Sequence, residues 1–392
     1  MCVIVFRFSY TVLSIFLKDI TDRDMLLISF FASLLFCVHY IHVETIVYYS
    51  ELHEMFYSIF YLSGLYFYLL YKSDSKIQNL VYVFLMYLCC ILSKETAVTF
   101  IACIFLSELF LFKGSFKNFI RKYSPLILIT IAFAAIRYFF FSKLDVLNKP
   151  ESFISVISET VKNYIFSFTA FVVSLDFTFI KDIYKSNNAG LITTLYELTA
   201  RYPQAIAGVV VSSTLYVLIM KKSLKLKYIL LIFSVLTILS FAWLAGYERY
   251  LYLPSAGFCL LLILYLFNAG KLSAFNKIPL YVILALILIY HIYNLKEKES
   301  QWLTASEISQ KTITRILDLT RELPSESKVY FKGLPGEYKS AWILRNGIHE
   351  VPVLFLKRND LKFYYIYQKP EGRMHEPNIF VYDYSIDKIY KE

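Results

Sequence analysis

Apolar residues fall into long runs broken by short polar turns from the N-terminus to about residue 295. About 20 apolar residues in a helix are needed to cross a hydrocarbon core roughly 30 Å thick. Candidate spans lie near 3–18, 25–41, 55–71, 78–92, 96–112, 124–142, 163–180, 204–220, 227–246, 250–269 and 278–295. The pattern changes after residue 295. Ile308, Ile313, Ile316, Leu317 and Leu319 mark one face of an amphipathic helix. Short β-prone runs follow at 329–331, 351–356, 363–367 and 379–382, punctuated by Gly333, Pro335 and Gly347. The pattern predicts an all-α polytopic membrane region over 1–295 with about ten spanning helices, and a small α/β domain outside the membrane over 296–392.

Composition agrees with this reading. Hydrophobic residues make up 58% of the 392, charged residues 18%, and the mean hydropathy is +0.54. Soluble chains average about 45–50% apolar and about 25% charged. A disordered chain, a coiled coil and an ordinary cytosolic enzyme are excluded. The 34 Tyr and 35 Phe suit lipid-facing helices with interfacial rings. None of the six cysteines has zinc-ligand spacing or belongs to a disulfide framework. No cleavable signal peptide is expected, because Arg7 interrupts the first run and no small-residue cleavage site follows.

The net charge of +10 places basic residues in short loops rather than on a nucleic-acid-binding motif. The chain therefore reads as a multi-pass protein of a bacterial inner membrane or an equivalent one, with no nucleic-acid partner. Loops 113–122 and 221–227 carry four Lys or Arg each and are expected in the cytoplasm, with 72–76 and 271–277. The turns near 40–54 and 93–95, and segments 143–203 and 296–392, then face outward. This parity makes 163–180 a re-entrant or interfacial helix. The alternative is a true span paired with a weak one at 190–200.

Ionisable groups in membrane segments cost about 2.5–3.5 kcal/mol each on insertion scales, so they are candidates for function. Four clusters stand out, all on the outer side. His39, His42 and Glu44, followed by Glu51, His53 and Glu54, could bind a divalent cation, orient a polar head group or form a solvated helix end. Lys94 and Glu95 could offer a cation to a lipid-linked phosphate, or form a capped turn. Arg137 sits near the end of its span, where it could simply snorkel. Residues 248–255 read Glu-Arg-Tyr-Leu-Tyr-Leu-Pro-Ser, in which Arg249 could clamp a phosphate. Their other reading is an internal Glu–Arg pair with a tyrosine belt formed by Tyr250 and Tyr252.

In this order the clusters resemble motifs of the transmembrane, TPR-bearing protein O-mannosyltransferases and their bacterial relatives, which are polytopic glycosyltransferases of the GT-C fold. Residues 39–44 resemble His-Pro-x-His-x-Glu, residues 93–95 match Ser-Lys-Glu, and 248–258 match Glu-Arg-Tyr-Leu-Tyr-Leu-Pro-Ser-x-Gly-Phe. The resemblance covers roughly 1–295. It implies transfer of a sugar from a polyprenyl-phosphate donor to an acceptor protein or glycan on the extracytoplasmic face. By that resemblance Arg249, Lys94 and Arg137 would meet the phosphate, and Glu248 would hold Arg249. His39, His42, Glu44, Glu95, Tyr250 and Tyr252 would line the substrate or metal side, with His39, His42 and Glu44 as the metal set.

Tyr40 stands where the family has Pro, and Leu52 where it usually has Arg. Met1 aligns with the start of the family's second helix, so its first helix and acidic loop have no counterpart, and the catalytic carboxylate has no assignment here. No TPR repeat is visible after residue 295. A non-catalytic relative, or a subunit of a polysaccharide or glycolipid assembly or export system, is the alternative.

Overall fold

The computed structural model describes residues 1–18, 20–141, 170–172, 174, 200, 248–272, 278–339, 341–344, 347–365 and 378–391. The predicted runs 204–220 and 227–246, the loop 221–227, and nearly all of 163–180 with its re-entrant helix lie outside these residues. The chain divides into two compact units, Met1–Leu295 and Lys296–Glu392.

Among the described residues of the first unit, the regular elements are all helices. Its helices are α1 (Cys2–Phe16), α2 (Asp22–Val38), α3 (Val43–Val47), α4 (Leu52–Asp74), α5 (Ile77–Ser93), α6 (Thr99–Phe110), α7 (Phe116–Phe141) and α8 (Tyr252–Leu272). Helix α9 (Ile278–Thr320) contributes its first part. Thr21 caps α2 by accepting the Asp24 N–H at 3.2 Å, and Ser33 Oγ ties α2 to the first turn of α1 at Cys2 O, 2.7 Å away. Tyr61, Tyr87, Phe100 and Cys103 fill the centre of the helix packing. Leu92, Leu128, Phe139 and Leu286 are more than half exposed. An outward apolar surface of this kind suits contact with lipid rather than water.

The apolar runs predict about ten spans, and here the structure differs. Among the described residues three helices are long and apolar enough to cross a membrane: Phe116–Phe139, Glu248–Phe267 and Ile278–Thr320. A fourth arises if α2 and Tyr40–Val47, bent by 50°, count as one span. Helix α4, at 23 residues, is long enough but not apolar enough, and for α1 and α5 the reason is length. Helices α1 and α5 have 15 and 17 residues, or about 22–26 Å of rise, against a core of about 30 Å. The run at 96–112 is split into a 3₁₀ turn, Glu95–Val98, and the 12-residue α6.

The second unit holds a small sheet with strand order β4-β1-β5-β6. Strand β1 (Lys328–Lys332) runs parallel to β4 (Lys362–Tyr365) and β5 (Ile379–Asp383), and β6 (Lys388–Lys391) is antiparallel to β5. Strands β2 (Glu337–Tyr338) and β3 (Ala341–Trp342) form a separate pair. Ile316 of α9 packs with Val329, Phe331, Phe363 and Tyr382. Arg315 Nε grips both oxygens of Asp387 at 3.0 and 2.9 Å, tying helix to hairpin. The β-prone run at 351–356 is helical instead. Pro352 has no N–H to give a ladder, and it suits the first turn of a helix.

Candidate functional site

Two breaks in the helices build the site. The chain leaves α2 at His39 and makes a 3₁₀ turn, Tyr40–His42, before α3. A second turn, Tyr49–Glu51, leads into α4. These turns bring Glu44, Glu51 and Glu54 to the 3₁₀ turn Glu248–Leu251 that opens α8, and all four carboxylates are buried.

Arg249 lies at the centre, 4% exposed. Its Nη1 is 3.0 Å from Glu44 Oε1 and 3.0 Å from Glu51 Oε1. Its backbone N–H donates to Glu44 Oε2 at 3.2 Å, so Glu44 holds both the main chain and the side chain. Glu248 was the partner the resemblance implied. Glu44 and Glu51, from a distant part of the chain, are set against the guanidinium.

Lys94 sits at the break between α5 and the turn Glu95–Val98. It is 8% exposed, makes a direct ion pair with Glu54 and lies over the Tyr250 ring at 4.3 Å. Arg249 lies over the same ring at 5.1 Å. Both cations, Glu54 and Tyr250 line one small pocket with Tyr57 and Ser58. Burial pushes the Lys94 ammonium down to about 7, while Glu95 and Glu51 hold it up.

Arg137 is not in this pocket lining. It pairs with Glu95 at 3.3 Å, and both side chains are about half exposed. Burial raises the Glu95 carboxyl, but its own backbone N–H and Arg137 outweigh this and leave it below the usual range.

The histidines form a separate cluster. Ile41 N–H points at His39 Nδ1 (3.4 Å), so His39 Nε2 carries the proton and donates to Phe171 O at 3.2 Å. His42 Nε2 is 2.7 Å from Ser255 Oγ, and its ring meets Tyr252 edge-on at 4.6 Å. Tyr40 donates to Ala170 O at 2.6 Å and stacks on His291 of α9 at 5.1 Å. His39, His42 and Glu44 therefore do not converge as a metal set. The imidazoles turn to Phe171 and Ser255, and the carboxylate turns to Arg249. Among the described residues, the group whose ligand atoms do converge is Glu51, His53 and Glu54.

Sequence reasoning singled out both cations but not their partners, nor His291. The signal for His291 was present as a lone imidazole inside the last apolar run. Glu51 and Glu54 were visible as acids beside the first cluster, with nothing in the sequence to say which cation each would meet.

The chain is similar to the protein O-mannosyl-transferase F38B6.6 of Caenorhabditis elegans, with 28% identity over 286 residues. The match covers 72% of this chain and 40% of that protein, so the chain spans less than half the length of this relative. No family model matches the chain. No solved structure matches it.

Proposed function

We propose that the chain is a multi-pass membrane glycosyltransferase of the GT-C kind, taking its sugar from a polyprenyl-phosphate donor. Arg249 and Lys94 meet the donor phosphate, and the sugar passes to an acceptor protein or glycan on the extracytoplasmic face, where 296–392 also lies. The observation that carries this reading is the convergence of the two buried cations on one pocket around Tyr250. The similarity to a named O-mannosyl-transferase supports it.

The chemistry follows from charge. Departure of a sugar leaves negative charge on the phosphate, and cations already fixed in a low-dielectric pocket stabilise it without reorganising. Glu44 and Glu51 fix Arg249, and Glu54 fixes Lys94. Tyr57, Tyr250, Leu253 and Pro254 also line the pocket, and such apolar surface suits an isoprenoid chain beside its phosphate. Arg137, half exposed, would take the outermost phosphate contact.

A second reading, a non-catalytic relative, is favoured by one observation: each buried cation is already matched by a carboxylate. Arg249→Lys separates the two. It keeps a positive charge between Glu44 and Glu51 but loses the guanidinium fork. The glycosyltransferase reading expects normal yield in detergent, with about 10–100-fold weaker binding of a polyprenyl-phosphate-mannose, the cost of one charge-assisted hydrogen bond. Unchanged binding by the variant, or no saturable binding by the parent chain, would sink it.

A further inference from the structure

The start of α4 gathers Glu51, His53 and Glu54, whose two carboxylates also hold Arg249 and Lys94. His53 Nε2 is 3.6 Å from Glu51 Oε2 and 3.9 Å from Glu54 Oε1, and one ligand atom from each residue lies within 4.8 Å of the others. Donors about 2.1 Å from one metal stand roughly 3.0–3.4 Å apart. Closing these gaps takes about an ångström, which three flexible side chains can supply.

The tautomer of His53 points the same way. Its Nδ1 is 3.0 Å from Ser50 O, and a carbonyl only accepts, so Nδ1 carries the proton. In the neutral ring Nε2 then presents a lone pair to two carboxylates, an unfavourable arrangement until a positive charge lies between them. An imidazole whose other N–H is held by a backbone carbonyl is the usual second-sphere arrangement of a metal-binding histidine. Access is open, since the His53 side chain is 43% exposed while those of Glu51 and Glu54 are 10% and 4% exposed.

We propose that Glu51, His53 and Glu54 bind one divalent cation, of the Mn²⁺ or Zn²⁺ class. One imidazole with two carboxylates suits these ions better than Ca²⁺ or Mg²⁺, which prefer oxygen alone. Glu51 also holds Arg249, and Glu54 also holds Lys94. A bound cation draws on both carboxylates and leaves both basic side chains less compensated. Metal uptake thereby raises the anion affinity of the neighbouring pocket. The site rests on ligand geometry and stands whether or not the pocket takes a lipid phosphate.

The test uses the intact chain, purified in detergent and stripped with a chelator. Mn²⁺ is titrated while its free six-line paramagnetic resonance signal is followed, and pulsed spectra of the bound ion report nitrogen coupling. The proposal expects about one saturable Mn²⁺ per chain, with imidazole nitrogen coupling, and displacement by Zn²⁺. His53→Ala, at an exposed position, should keep the elution profile and melting temperature, lose the nitrogen coupling and bind at least about tenfold more weakly. His349→Ala, in the other unit, should bind as the parent does. Equal Mn²⁺ affinity of parent and His53→Ala, bound Mn²⁺ without nitrogen coupling, or no uptake at all would overturn the proposal.

Discussion

Glu108 shows how a charge inside an apolar run can serve the fold alone. It is 7% exposed, in the last turn of α6. Tyr68 donates to its Oε1 at 3.2 Å, Tyr123 at 2.7 Å, and Lys72 reaches both oxygens at 3.1 Å. One carboxylate thus binds α4, α6 and α7. Glu108→Gln would leave Lys72 without its counter-charge and lower stability by roughly 2–4 kcal/mol. Adding Lys72→Met should restore part of the loss. Melting temperatures of the parent and the two variants in detergent check this, and equal losses for the single and double variants would contradict it. At this scale the sequence shows which charges are costly. It does not show which charge each one meets, because Arg249 and Glu44 are 205 residues apart.

At the scale of elements, the apolar runs locate helices well, and the breaks between them form the site. Two of these breaks follow local chemistry: His39 has an extended backbone and its ring accepts the Ile41 N–H, and Lys94 is extended before the turn Glu95–Val98. What sequence does not show is how closely helices approach. A Cβ on Gly64 of α4 would lie 2.8 and 2.9 Å from Phe100 ring atoms. That ring cannot withdraw easily, being stacked on Tyr87 at 5.4 Å and met edge-on by Tyr61 at 5.0 Å. Gly64→Ala gains up to about 1 kcal/mol of helix propensity. Overpacking costs about 1–3 kcal/mol, so a net loss is expected. Phe100→Leu in the same chain should relieve it. A stabilised Gly64→Ala variant, measured by thermal unfolding in detergent, would show that α4 and α6 part without cost.

For the whole molecule, the charge bias of the loops carries the topology, and the proposal puts 113–122 in the cytoplasm and 296–392 outside. Single cysteines at Ser115 and Ser325, both exposed, test it in a chain whose own cysteines are replaced. They should react with an impermeant thiol reagent from opposite sides of sealed vesicles. Labelling of both from one side would overturn the arrangement.

Hydrophobic periodicity alone established a helical, apolar first part and a polar region with short strands after it, because burial in lipid and pairing in a sheet impose different repeats on the chain. It also marked Arg249 and Lys94, since a cation in an apolar setting is costly wherever it lies. Span number did not follow from it, because the count of apolar residues ignores where a 3₁₀ turn or a bend ends the helix. Nor did the pairings of Arg249 with Glu44 and Glu51, of Lys94 with Glu54, or of Tyr40 with His291. Coulomb attraction and ring stacking act over a few ångströms, and only the folded chain sets those distances.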